Sequence, residues 1–531
     1  MDGTRTDVLH QISAWLSITP QVDDTPDSRI FWINGSAGTG KTTIANTVAR
    51  TCKKRGILGA SFFCSREEDY STPKLLFTTI AYQLGQFFPP FKDEVSAVLK
   101  SNHEIGYSDP SYQLQELIVG PLRTIGDTFP FCVVVIDAID ECQDDSTISV
   151  ILASLAAHVN QLSPLKFLIT SRPERHITGA FKLESMDPAT RRLVLHEIEL
   201  SVVHVDIERY LAYELNTIKE FYDLKNSWPS LTDINALSTK SFGLFIFAAT
   251  CVKFIRDGNY CDPPDQLAKL LHSTPVAVGN YSPDYRLDQL YTQVLTDAFP
   301  DISPRLAGRL KMVLGSIILL RNPLSPHDLE LLLDVNAQKA DFSLGSVRAT
   351  LARLHSLVIV PEDDDHVIRL LHPSFFDFLT NRDRCLNPKL VVDITVQHTL
   401  LAHACLGAMK DLRKNICKIE SPTMLNSEVE DLPARIRQYI PPHLQYACRH
   451  WASHLTNAMI SDLLLDLLSE FCSEGLLRWV EVCSLLGNLR NALLSLDAVQ
   501  RKLTVSHFGF MRMYWSYLFS RLVSTRTCPI L

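Results

Sequence analysis

At 531 residues the chain is longer than one ordinary domain, and on the order of two to four domains is the expectation. Hydrophobic residues make up 46% and charged residues 21%, a balance that excludes an intrinsically disordered chain. The net charge of −8 is modest and spread out, and no basic stripe with interleaved aromatics occurs, so nucleic acid is not the expected partner.

The N-terminus lacks a basic n-region followed by an apolar core, so no secretory signal is read there. The longest apolar run, Phe242 to Val252, is closed off by Lys240 and Lys253; it is too short to span a bilayer and reads as a buried helix. The 13 cysteines are scattered, with no Cys-x-x-Cys pair, which points to a reducing compartment and a cytoplasmic location.

In chain order, a lead-in over 1–28 precedes a β-rich run from Arg29 to Asn34, which ends in a glycine loop. A helix over Lys41–Lys54 follows, then a strand over Gly59–Ser65 and a helix over Thr72–Phe88. Phe131–Ile136 and Leu165–Thr170 are unbroken apolar runs of the kind buried on both faces of a parallel sheet, and Arg191–Ile198 is a fifth strand candidate. Strands alternating with helices to about residue 200 predict a parallel α/β fold.

Beyond that point helices dominate: Val203–Asn216, Ile234–Arg256 and Tyr285–Leu320, with Asp262–Asp284 as a proline-rich linker of little structure. Pro326–Leu333 is a helix that Ser325 caps. Leu357–Val360 and Val367–Leu371 flank the acidic run Glu362–Asp365 as a hairpin, and helices followed by one hairpin suggest a winged-helix module. From about Val391 the chain is helical without internal repeats, and its closing helices, around Tyr514–Phe519, are expected to pack on those before them.

Three motifs carry chemistry. Gly35-Ser36-Ala37-Gly38-Thr39-Gly40-Lys41-Thr42 fits the phosphate-loop pattern G-x-x-x-x-G-K-[ST], with a strand before it and a helix after it. Its backbone N–H groups suit phosphate oxygens, Lys41 the β- and γ-phosphates, and the Thr42 hydroxyl Mg²⁺. Val133-Val134-Val135-Ile136-Asp137 is an apolar strand ending in a carboxylate, so Asp137 is the second Mg²⁺ ligand. Asp140 or Glu141, just beyond, polarises the attacking water. Leu168-Ile169-Thr170-Ser171-Arg172-Pro173 ends a third strand, where Arg172 senses the γ-phosphate or holds a neighbouring acid.

Together these residues resemble a NACHT-type P-loop NTPase of the STAND class of signalling ATPases, and are similar to the nephrocystin-3-like N-terminal domain. The marks are Phe31–Thr43, the run Val135-Ile136-Asp137-Ala138-Ile139-Asp140-Glu141-Cys142, and Phe167–Glu174. The likeness covers roughly 5–385 and, more loosely, the helical tract around Tyr446–Leu455. It implies an ASCE/STAND core over 29–200, a helical domain and linker over 201–284, a winged-helix-like domain over 285–385 and a helical C-terminal domain over 386–531.

The resemblance also implies ATP or ADP with Mg²⁺ as ligands, with the cradle extending through Thr43. Ser241–Phe245 falls where such proteins often carry a glycine–proline element near the adenine, here without the proline. His372, in Leu371-His372-Pro373-Ser374, resembles the winged-helix histidine that touches the β-phosphate of ADP. The implied activity is a slow ATPase serving a switch that ADP closes and ATP opens to self-association, within fungal-type non-self recognition or programmed cell death, an innate-immunity role. Effector and sensor partners are expected, and the chain is either a fragment or a short form lacking those segments. The competing readings are an AAA+-like remodelling ATPase, recruiting Arg172 or Arg175 in trans, and a non-hydrolysing interaction module.

Overall fold

Five strands form one parallel sheet: β1 (Ile30–Asn34), β2 (Leu58–Phe63), β3 (Cys132–Asp137), β4 (Leu165–Ser171) and β5 (Thr190–Val194). The computed structural model in which they are seen describes residues 3–505, apart from 18–27, 66–72, 143–144, 259–261, 273–282, 335–346 and 422–423. The spatial order is β2-β3-β4-β1-β5. β4 therefore lies between the strand that feeds the glycine loop and the strand that ends in Asp137.

Side chains alternate across a strand, so a sheet covered on both faces splits each strand between two cores. Ile30 and Trp32 of β1, Val134 and Ile136 of β3, and Phe167 and Ile169 of β4 enter one core. Phe31, Ile33, Val133, Val135 and Leu168 enter the other. That double coverage is why β3 reads as a run of branched residues without alternation. The second core also receives the helix Thr6–Ser17, whose Val8, Ile12, Trp15 and Leu16 recur at helical spacing. Trp15 Nε1 donates to Ser28 O at 2.6 Å and Lys166 Nζ donates to Trp15 O at 2.8 Å, so the lead-in is tied to the sheet by polar bonds as well as by packing.

The expected strands and the helix Lys41–Lys54 are all present, with ends shifted by a few residues. Elsewhere the helical tract is more divided than its apolar spacing predicts. Ile234–Arg256 is two helices, Leu231–Ser241 and Phe245–Arg256. Phe242 (φ 48°) and Gly243 (φ 82°) both adopt left-handed backbone, which stops one helix and re-aims the next. Asp262–Asp284 is not a bare linker: Pro263–His272 is a helix, with prolines in its first turn where a missing N–H costs nothing. Tyr285–Leu320 likewise splits into Pro283–Ala298 and Pro304–Leu319, the second capped by Ser303.

The chain divides into two compact units, one of Met1–Val294 with His372–Ser374 and the other of Leu295–Leu371 with Phe375–Leu531. In the second, Ser325 caps the helix Pro326–Asp334: its hydroxyl accepts from Asp328 N at 3.1 Å and donates to Asp328 Oδ2 at 2.7 Å. The expected hairpin is present as β6 (Val358–Ile359) paired antiparallel with β7 (Arg369–Leu370). Among the described residues the remainder is mainly helical around an aromatic centre in which Trp451, Phe471 and Trp479 lie 5.0–5.9 Å apart by ring centroid. The segment Tyr514–Phe519 lies outside the described residues. No helix among the described residues is long and apolar enough to cross a membrane.

Candidate nucleotide-binding site

The motifs meet at the C-terminal edge of the sheet, where β1 delivers the glycine loop, β3 the acidic residues and β4 Arg172. Gly38 (φ 75°) and Gly40 (φ 92°) take left-handed backbone that side-chain-bearing residues resist. Gly40 is also the residue from which the helix Lys41–Lys54 starts, so the loop opens directly onto a helix N-terminus.

Lys41 is buried, and its ammonium donates to Gly35 O at 2.7 Å and Ser36 O at 3.0 Å. Burial pushes its pKa down; the charges of Asp140, Glu141 and Asp137 oppose that and Arg172 adds to it. A cation desolvated against carbonyl oxygens gains from an arriving anion, and a phosphate chain is the anion this loop is shaped for.

Asp137 is almost fully buried, at 1% exposure. Its carboxylate accepts from Thr170 Oγ1 at 2.6 Å and from the Thr42 hydroxyl. Burial raises its pKa, while the Thr170 and Thr42 bonds and the Lys41 charge pull it back. Thr42 and Asp137 thus present two hard oxygen ligands in contact with each other, which fits Mg²⁺ with waters completing its shell. Ala138, the small residue after Asp137, sits at φ 52° and donates its N–H to Thr170 Oγ1 at 2.8 Å. One threonine hydroxyl therefore holds both the carboxylate and the turn that follows it.

Asp140 and Glu141 are placed differently. Asp140 is buried; one oxygen accepts from the backbone N–H of Arg172 at 2.9 Å and the other lies 3.3 Å from Arg172 Nε. Arg172 thus contacts a neighbouring acid in this structure. Glu141 is only half-buried. Cys142 Sγ is 2.7 Å from Cys64 Sγ at the end of β2, anchoring the far side of the acidic turn.

Residues that the motifs did not single out complete the surroundings. The break at Phe242–Gly243 points the helix Phe245–Arg256 at the loop, and Ile246 N–H donates to Gly38 O at 3.2 Å. Ser241–Phe245 is therefore a close neighbour of the cradle despite the missing proline. From the other end of the unit, Arg5 Nη2 donates to Thr39 O at 3.1 Å. Thr170 carried a sequence signal, being a polar residue at the end of an apolar strand; Arg5 and Ile246 carried none. His372 Nδ1 is 2.7 Å from Ser374 Oγ, which is 2.8 Å from Tyr291 Oη, so the geometry here places it in a short polar chain.

The family model described as nephrocystin 3, N-terminal, matches residues 8–172, the stretch from the first helix through β4 and Arg172. The matched stretch holds the phosphate loop, Asp137 and Arg172. The chain is also similar along most of its length to the vegetative incompatibility protein HET-E-1 of Podospora anserina, at 23% identity over 497 residues. That match takes in 88% of this chain but 34% of the relative, so the chain spans about a third of the relative's length. Among solved structures it overlaps Cdc6p from Pyrobaculum aerophilum (TM-score 0.30, 8% identity, 69% of this chain and 89% of that one). It also overlaps the Aeropyrum pernix ORC1 protein in complex with DNA (TM-score 0.30, 13% identity, 70% and 90%). Overlap at that level carries no weight for function. The phosphate loop, the Asp137 strand and the strand that ends at Arg172 lie in one sheet within the matched stretch.

Proposed function

We propose that this protein is a nucleotide-controlled signalling switch that holds ADP when closed, takes ATP with Mg²⁺ to open and self-associate, and resets by slow hydrolysis. The observation that carries the reading is the meeting of Lys41, Thr42 and Asp137 at one sheet edge, a phosphate-and-cation site assembled from two separate strands. The loop Gly35–Thr43 cradles the phosphates, Lys41 neutralises their charge, and Thr42 and Asp137 hold Mg²⁺, which supplies charge neutralisation at the phosphate oxygens. Glu141, half-buried beside a buried and ion-paired Asp140, is the better placed to orient a water.

ATP rather than GTP rests on the family likeness. So do the division at 29–200, 201–284, 285–385 and 386–531, the winged-helix reading of the hairpin segment, and the assignment of His372 to the β-phosphate of ADP. A cytoplasmic setting, fungal-type non-self recognition and unidentified effector or sensor partners belong to the same proposal, supported by the likeness to a vegetative incompatibility protein.

The deciding experiment is to denature the purified protein and its Lys41→Ala variant and identify any released nucleotide by chromatography. ADP near one per chain, absent from the variant, is the expected result. No nucleotide in either, with no binding on titration, removes the switch. Turnover well above about one per second would make the remodelling ATPase the better reading.

A further inference from the structure

The phosphate loop is held from behind by two anchors that its motif does not contain. Gly38 O accepts from Ile246 N–H at 3.2 Å, and Thr39 O accepts from Arg5 Nη2 at 3.1 Å. In a trans peptide the carbonyl and the N–H point in opposite directions. Fixing those two carbonyls therefore fixes the N–H groups of Thr39 and Gly40 on the opposite side, and among the described residues no other backbone carbonyl accepts from either amide.

Arg5 is built into place. Its own backbone N–H donates to Asp206 Oδ2 at 3.0 Å, on the helix Leu200–Phe221, and its guanidinium lies 5.1 Å over the ring of Phe245. The residue is buried and sits at φ 53°, a conformation a side-chain-bearing residue holds only when its surroundings impose it.

We propose that Arg5 is a positioning residue for phosphate binding: by holding the Thr39 carbonyl it keeps the loop amides turned towards the phosphate chain, and it ties nucleotide affinity to the helices that carry Asp206 and Phe245. This rests on the phosphate-site reading above. It differs from recognition of the base, because the anchor acts on the loop backbone and serves any triphosphate alike. It also gives the residues before the first helix a direct mechanical route to the nucleotide.

The test uses the full chain and four proteins: wild type, Lys41→Ala, Arg5→Met and Arg5→Lys, titrated with inorganic tripolyphosphate, ATP and GTP. Arg5→Met should weaken all three by a common factor of about ten, the scale of one charge-assisted hydrogen bond, and Arg5→Lys should recover part of it. Tripolyphosphate affinity unchanged in a folded Arg5→Met overturns the proposal, as does a loss confined to ATP. Should Arg5→Met not fold, Phe245→Leu removes the ring beneath the guanidinium; a smaller common loss supports the anchor, and unchanged tripolyphosphate binding overturns it. Wild type that binds none of the three removes the phosphate site itself. Wild-type binding that Lys41→Ala abolishes and Arg5→Met leaves intact removes only the role of Arg5.

Discussion

Thr170 and Asp137 share a 2.6 Å hydrogen bond in a fully buried setting, and the same threonine oxygen accepts the N–H of Ala138. The two residues sit on adjacent strands and are 33 positions apart in the chain. Their contact is what converts a carboxylate at the end of β3 into a fixed ligand aimed over the sheet edge.

Replacing Thr170 by Val keeps the shape and removes both bonds. The buried Ala138 N–H loses its acceptor, so stability should fall by about 1–3 kcal/mol, read from the shift in urea midpoint. Asp137, already raised by burial, loses a bond that pulls its pKa down and should rise further. Mg²⁺-dependent nucleotide binding should then fail at a higher pH than in the wild type as the solution is acidified. An unchanged pH profile in the variant would show that Thr170 does not support the charged carboxylate.

Asp140 and Glu141 should separate cleanly. Asp140→Ala leaves Arg172 without the carboxylate that accepts its backbone N–H, and should lower the unfolding midpoint whether or not nucleotide is present. Glu141→Gln should leave nucleotide affinity and melting temperature near wild type while lowering phosphate release at least tenfold. Equal phosphate release from the Glu141→Gln variant would move the water-orienting role back to Asp140.

Gly38→Ala meets two obstacles. The position has φ 75°, and a methyl group there would lie inside the side chain of Ile246. The substitution should abolish retained nucleotide and lower stability by about 1–3 kcal/mol. Adding Ile246→Ala should restore part of the stability, because it removes the Cγ2 atom that the methyl would meet most closely and leaves only the Cβ of residue 246 at 2.9 Å and the backbone strain. If the double variant is no better than the single, the Ile246 contact is not what excludes a side chain.

The second unit has its own pH dependence. His398 Nδ1 is 2.9 Å from His454 Nδ1, and His454 Nε2 is 2.7 Å from Tyr446 Oη. Burial, with the Arg321 charge adding to it, depresses the His398 pKa to about 4 and that of His450 to about 3. Both lie below the ordinary value near 6.5, so the unfolded chain binds more protons between those limits. Stability is complete above about pH 6.5 and is lost as pH falls from there towards 4, at up to about 1.4 kcal/mol per pH unit for each histidine. Urea midpoints at pH 7, 6 and 5 check this, and a flat profile over that range would refute it.

The sequence by itself determined the phosphate loop, Asp137 and the helix–strand alternation up to about residue 200. Those features are local: a glycine pattern dictates backbone angles over a few residues, and an unbroken run such as Cys132–Ile136 reports burial on both faces. It left open whether Arg172 senses phosphate or holds an acid, and whether Asp140 or Glu141 faces the water. Tertiary structure places β4 between β1 and β3, which brings Arg172 onto Asp140 across 32 positions of chain. It also broke the apparent helix Ile234–Arg256 at Phe242–Gly243, since apolar spacing continues through a turn that only backbone angles reveal. Arg5 and Ile246 were invisible for the same reason: each acts through a single long-range bond to a loop carbonyl, and a hydrogen bond between residues far apart in the chain leaves no periodic trace in the sequence.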